Sequence, residues 1–245
     1  MSLYDKAKIH VEVVAYSRSF RFMLYQLLHI INRRHILFPF IQSKLTYVVM
    51  FMIDPIALVN EKYLEKYMFP KHNGCFVDVG ANVGLWTFFM AKQGVEVHAF
   101  EPSPQPRRIL RKHMRNFNIH VYPYALGNGD YMANLKLHFI SEHNGLVKEY
   151  SDFIGYCMKT PVKRLDTLKL RDVGLIKIDT EGYEIPVLLG AKQTILINKP
   201  RLIIEIHLPF KEQLQKTKQI LTQLNYKWIV GHKTNLQPQI IADSK

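Results

Sequence analysis

Residues 75–102 read CFVDVGANVGLWTFFMAKQGVEVHAFEP, and no other stretch of the chain limits its fold so tightly. An apolar run at 75–79 carries a single acid, Asp78. A loop follows, made of Gly80, Ala81, Asn82, Val83 and Gly84. Residues 85–92 then place apolar side chains at helical spacing, Gly94 stops them, and a second apolar run over 95–100 ends at Glu101 and Pro102. The period changes from strand to helix and back, which predicts one βαβ unit. Glycines at the turn let the backbone approach a ligand closely. The helix behind them points unpaired N–H groups at the same place. An acid at the end of the second strand, about 20 residues on, suits a ribose diol.

The ligand need not be a dinucleotide. Gly80 and Gly84 lack the middle glycine of the dinucleotide fingerprint, and Asp78 just ahead of the loop would repel a pyrophosphate. A cation is favoured there. S-adenosylmethionine fits, with its sulfonium and ammonium near Asp78 and the loop and its ribose near Glu101. DVGANVG followed by AFEP is similar to the first two motifs of Rossmann-like methyltransferases. The alternative is a strand, turn and helix with no ligand at all.

At 245 residues and 48% hydrophobic content, the chain is one large domain or one domain with an extension. Its formal charge of +13 favours anionic partners without choosing among nucleic acid, acidic glycan and membrane surface. Two cysteines, Cys75 and Cys157, make neither a disulfide framework nor a zinc set, which favours a reducing interior. Charges at Asp5, Lys6, Lys8, Glu12 and Arg18 argue against an N-terminal signal, so the expected location is cytoplasmic. Residues 1–72 are expected to form a helical extension ahead of a catalytic domain at 73–245. Apolar stretches at 20–31 and 45–53 fall short of the roughly 20 residues of a membrane span. They suit a cap on the domain or, through residues 18–53 with Arg18, Arg21, Arg33 and Arg34, a peripheral contact with anionic headgroups.

Beyond Pro102, a helix presents Arg108, Arg111, Lys112 and Arg115 on one face and Ile109, Leu110, His113, Met114 and Phe117 on the other. A solvated face explains the basic stripe; docking of a polyanion is the functional alternative. A third strand is expected at 119–122, a ligand-facing loop at 125–128, strands at 135–140 and 160–165, and a mobile loop at 141–159. Further strands are expected at 175–179, 202–206, 226–230 and 239–241, with helices after the turn at 180–184 and at 210–224. Strands alternating with helices predict an α/β fold with a doubly wound, mostly parallel sheet.

A buried parallel strand is normally an unbroken apolar run, so charges inside one need partners. Lys177 and Asp179 lie two apart on one strand, and Glu205 and His207 lie two apart on the next. If those strands are neighbours, the four side chains share one face at the carboxyl edge, beside the glycine turn. His207, Asp179 or Glu181 can then take a proton from a hydroxyl nucleophile. Asp179 and Glu181 can alternatively hold a divalent metal that orients a diol. A structural Lys177–Glu205 ion pair is the simpler explanation, and Glu184 reads as a charge at a helix start.

With both groups in hand, FVDVGANVG, AFEPSP, YALGN, RLDTL, LIKIDTEGYEIPVLLGA and LIIEIH, in that order over residues 74–207, resemble the FkbM family of methyltransferases. The resemblance implies a Rossmann-like class I methyltransferase fold and an S-adenosylmethionine-dependent enzyme. It implies cofactor contacts at Asp78, Gly80, Asn82, Gly84, Glu101 and Ala125, to which the neighbouring Ala81, Pro102, Ser103 and Leu126 are added. It places the turn at 179–182 against the substrate. O-methylation of a glycan, glycolipid or small metabolite is the expected reaction, with RNA ribose methylation as the alternative and nucleic acid the less favoured partner.

Overall fold

Apolar runs alternating with amphipathic segments build one open sheet. The computed structural model describes residues 66–113, 115–138, 146, 155–207, 210–231 and 238–245. The expectations for residues 18–53, and for most of the loop at 141–154, lie outside the described residues.

Ten strands are described: β1 (Cys75–Val79), β2 (Val97–Phe100), β3 (Ile119–Tyr122), β4 (Ala125–Leu126), β5 (Tyr131–His138), β6 (Gly155–Lys163), β7 (Val173–Ile178), β8 (Arg201–Glu205), β9 (Tyr226–Val230) and β10 (Gln239–Ser244). The helices are α1 (Leu85–Ala91), α2 (Pro104–His113), α3 (Glu184–Gly190), α4 (Lys192–Asn198) and α5 (Phe210–Gln223). Seven strands form the main sheet in the order β3-β2-β1-β7-β8-β10-β9. β3, β2, β1, β7 and β8 pair in parallel, and β10 runs antiparallel to both β8 and β9. β4, β6 and β5 make a separate small sheet. The mostly parallel α/β architecture is as expected.

The order follows from the sequence. β1 and β7 are buried along their whole lengths, the pattern of central parallel strands covered on both faces. The chain reverses direction in strand order between β1 and β7, so the crevice at their carboxyl ends is the place where such sheets take ligands. Val77, Val79, Ile176, Ile178, Leu202 and Ile204 form the core of one face, under Val187 and Leu188 of α3 and Ile195 of α4. Asp166, in the RLDTL stretch, accepts hydrogen bonds from the backbone N–H groups of Gln193 and Thr194 and so caps the start of α4.

Several limits differ from expectation. The compact unit that holds the sheet runs from Lys66 to Lys245 and so takes in residues ahead of 73. Met68 is wholly buried, the carbonyl of Tyr67 accepts from Arg201, and Lys71 pairs with Asp243 at 3.1 Å. β6 starts at Gly155, inside the expected loop at 141–159, because residues 155–163 pair antiparallel with β5 from Tyr131 onward. Ala125 and Leu126 form the short strand β4 rather than a loop, paired with Val162 and Lys163.

Candidate active site

The glycine turn and the acidic turn meet. Asp179 N–H donates to the carbonyl of Val79, and Gly80 has φ 83°. A Cβ on Gly80 would lie 1.8 Å from the carbonyl oxygen of Asp179. This glycine is therefore required by the close approach of the two turns, in addition to any approach of a ligand. Together they wall a cleft lined by Gly80, Asn82, Phe100, Glu101, Pro102, Ser103, Ala125, Leu126, Asp179, Thr180, Glu181 and Tyr183, among others.

Glu101 leaves β2 at the edge of this cleft and is 6% exposed. Its Oε2 accepts from Asn82 N–H at 2.9 Å and its Oε1 from Ser103 N–H at 2.6 Å. Burial pushes its carboxyl up, opposed by those N–H groups and by Arg107. Arg107 donates to the carbonyls of Glu101 and Pro102, which ties the base of α2 to the turn. The carboxylate is thus fixed in orientation, with lone pairs left for a diol.

Asp78 sits differently from expectation. It is 1% exposed and absent from the cleft wall, as are Ala81 and Gly84. Its Oδ2 accepts from Thr87 Oγ at 2.6 Å, joining β1 to α1. Burial pushes its carboxyl up, against the pull of Lys177 and Thr87. Asp78 is thus held beneath the loop, bonded to α1 through Thr87 and sharing the field of Lys177.

At the other turn the four charges converge as expected, but with different pairings. Lys177 donates to Asp179 Oδ2 at 2.7 Å, the observed partner in place of Glu205. His207 Nδ1 lies 2.9 Å from Glu184 Oε1, and its Nε2 lies 3.4 Å from Glu181 Oε1 and 3.7 Å from Asp179 Oδ1. Burial alone would strip the charge from His207, but Glu181, Glu184 and Asp179 outweigh it and push its pKa up to about 12. Carboxylates at both nitrogens favour the doubly protonated ring, which suits a cation that orients Glu181 and Glu184. Burial would raise Asp179, yet Lys177 and His207 hold it below the usual carboxylate range.

Glu184 is the residue that sequence reasoning undervalued. It is fully buried, and its Oε1 accepts from Thr180 N–H and Oγ, from Gly182 N–H and from His207. One carboxylate thereby shapes the whole turn in which Glu181 has φ 54° and Gly182 φ 97°. A left-handed φ at Glu181 is backbone strain of the kind that clusters at functional sites. Tyr183 was also missed; it lines the cleft, and its hydroxyl meets that of Tyr131. Asp179, Glu181 and His207 offer ligand atoms within 4.8 Å of one another. In this structure His207 Nε2 faces Glu181 and Asp179, and Asp179 also accepts from Lys177.

Glu205 reports on this field. Burial first, then Asp179, push its pKa from 4.5 up to about 7, against Lys177 and His207. A folded-state value above the unfolded one means stability is retained at low pH and lost as pH rises from about 4.5 through about 7. Glu205→Gln is expected to stabilise the protein above pH 7 by up to roughly 3 kcal/mol, and by little near pH 4.5, in denaturant titrations across pH.

Comparison with known proteins gives the family and the fold. The model of the family described as the methyltransferase FkbM domain matches residues 78–228. Methyltransferase 1 of Beauveria bassiana (strain ARSEF 2860) is 28% identical over 173 residues, 56% of this chain and 70% of that protein. The crystal structure of methyltransferase FkbM from Methylobacillus flagellatus KT superposes with a TM-score of 0.51 at 22% identity, over 69% of this chain and 43% of that one. The chain thus spans less than half the length of that protein, and the likeness is one of fold. A methyltransferase from Streptococcus mutans in complex with SAH is 13% identical over 78% of this chain and 98% of that one, with a TM-score of 0.44.

Proposed function

The chain belongs to the FkbM family of S-adenosylmethionine-dependent methyltransferases, and from that premise we propose that it methylates a hydroxyl oxygen of a glycan, glycolipid or small hydroxylated metabolite. The observation that carries this is the shared cleft, with Glu101 and the glycine turn on one wall and Asp179 and Glu181 on the other. Glu101 takes the ribose hydroxyls, Gly80 and Asn82 border the cofactor through their backbone, and Pro102, Ser103, Ala125 and Leu126 enclose it. Bound S-adenosylmethionine supplies a methyl group activated by a sulfonium.

The chain's own residues then position and deprotonate the acceptor. Displacement at a methyl group needs alignment above all. Asp179 and Glu181 accept hydrogen bonds from the acceptor and take its proton as the oxygen becomes an ether. Lys177 and His207 hold those carboxylates in place and keep Asp179 ionised. Carboxylates at 179, 181, 184 and 205 outnumber the two cations here, which favours a neutral polyhydroxylated acceptor over a phosphate-rich one. Incubating cell extracts with isotope-labelled cofactor and identifying products by mass spectrometry tests the reading. Label in O-methyl ethers supports it, and label on nitrogen or carbon alone overturns it.

RNA ribose methylation is the second reading, favoured by one observation: Arg108, Arg111, Lys112 and Arg115 are all exposed along and just beyond α2. A salt-sensitive gel shift that disappears when these four are neutralised would move the assignment to RNA. No helix among the described residues is long and apolar enough to cross a membrane. Peripheral contact through residues 18–53 is part of the proposal, and flotation with anionic liposomes of the full chain against one lacking residues 1–44 tests it.

A further inference from the structure

Away from the cleft, at the amino ends of β2 and β3, three side chains converge that methyl transfer does not use. Glu96 precedes β2, and His98 in β2 lies directly opposite His120 in β3, the edge strand of the sheet. Parallel register puts all three on one face, because 96 and 98 are two apart. His120 Nε2 lies 2.9 Å from Glu96 Oε1, and His98 Nε2 lies 3.6 Å from the same oxygen. The imidazoles stack at 4.7 Å with 21° between their planes, and both Nε2 atoms lie near Glu96 Oε1, so a turn of the exposed His120 ring brings the two lone pairs onto one point.

We infer that Glu96, His98 and His120 form a binding site for a borderline divalent cation of the zinc class, which clamps the edge strand to the sheet. Three ligand atoms, one from each side chain, lie within 4.8 Å of one another. Two ligands bound at about 2.0–2.2 Å to one ion stand about 3.0 Å apart at a right angle and about 3.4 Å apart at a tetrahedral one. The observed spacings of 2.9 and 3.6 Å bracket that range. Two imidazoles and a carboxylate are the ligands such ions prefer, and solvent at the half-exposed Glu96 and His120 completes the coordination. The other nitrogen of His98, Nδ1, lies 2.9 Å from the hydroxyl of Tyr122, the outer contact that orients a metal-binding imidazole. Glu96 stands five residues before Glu101, about 16 Å along the strand direction, so the two sites are separate.

The test uses the full chain, stripped with a chelator and titrated with zinc chloride by calorimetry under reducing conditions. One equivalent is expected to bind, with affinity falling at least about tenfold in His120→Ala and in Glu96→Gln. Both variants are expected to bind S-adenosylmethionine as the wild type does. Cobalt in place of zinc is expected to give a spectrum with no thiolate charge-transfer band, which separates this site from Cys75 and Cys157. Unchanged zinc affinity in His120→Ala, or binding abolished instead by Glu181→Gln, overturns the assignment. Binding by the wild type no tighter than about 1 mM overturns it as well.

Discussion

Replacing Asp179 by Asn is expected to lower turnover by about 100- to 1,000-fold while leaving S-adenosylmethionine affinity within about threefold. The split follows from the geometry. Asp179 and Glu101 line opposite turns of the cleft, and the proposed reading gives the acceptor to the first and the cofactor to the second. Asn keeps an oxygen for Lys177 at 2.7 Å, so the buried ammonium is not abandoned. It removes the charge that receives the proton. His207→Gln should behave differently. It deletes the cation shared by Glu181, Glu184 and Asp179, so stability falls along with activity. Its pH–rate profile should show no new basic limb, as expected of a positioning residue. Steady-state kinetics with a thermal melt on each variant separates these outcomes.

The second large effect is Gly80→Ala. The residue sits at φ 83°, and the added Cβ would stand 1.8 Å from the carbonyl oxygen of Asp179. Backbone there cannot rotate aside as a side chain can, so β1 and β7 must separate at their carboxyl ends. The combined strain and displacement should cost about 3–5 kcal/mol and remove cofactor binding and turnover together. Denaturant unfolding measures the first and calorimetry the second. A variant with wild-type stability and wild-type affinity would mean that the two turns are not held in contact as described.

Much of this architecture is legible in the sequence, and the reasons are physical. The βαβ unit shows because period and glycine placement change together within 28 residues, from 75 to 102. The charged quartet shows because Lys177 and Glu205 interrupt strands that should be wholly apolar. What stays hidden is partner choice. Lys177 reaches Asp179 two residues along its own strand instead of Glu205, a preference set by side-chain direction at the strand end. Glu184 looks like any acid in a first helical turn until α3 is packed against His207, where it becomes fully buried. Asp78 is placed correctly on β1, but Thr87, one turn into α1, claims its carboxylate. Residues 66–72 carry no break in composition, so nothing local marks that Met68 belongs to the domain core. Glu96 and His120 are ordinary polar residues in sequence, and only strand register brings them together.

In the proposed site the glycine turn and Glu101 hold S-adenosylmethionine in the cleft that the acidic turn completes. Calorimetric titration of the cofactor into the wild type and into Glu101→Gln tests it most directly. Gln keeps one acceptor for Ser103 or Asn82 but loses the charge and the second acceptor, so the ribose contact fails. The expected result is micromolar binding by the wild type and affinity weakened by about 10- to 100-fold in the variant, with its melting temperature lowered by only a few degrees. Equal affinity in the two proteins, or no binding by the wild type, would mean that Glu101 does not hold the cofactor.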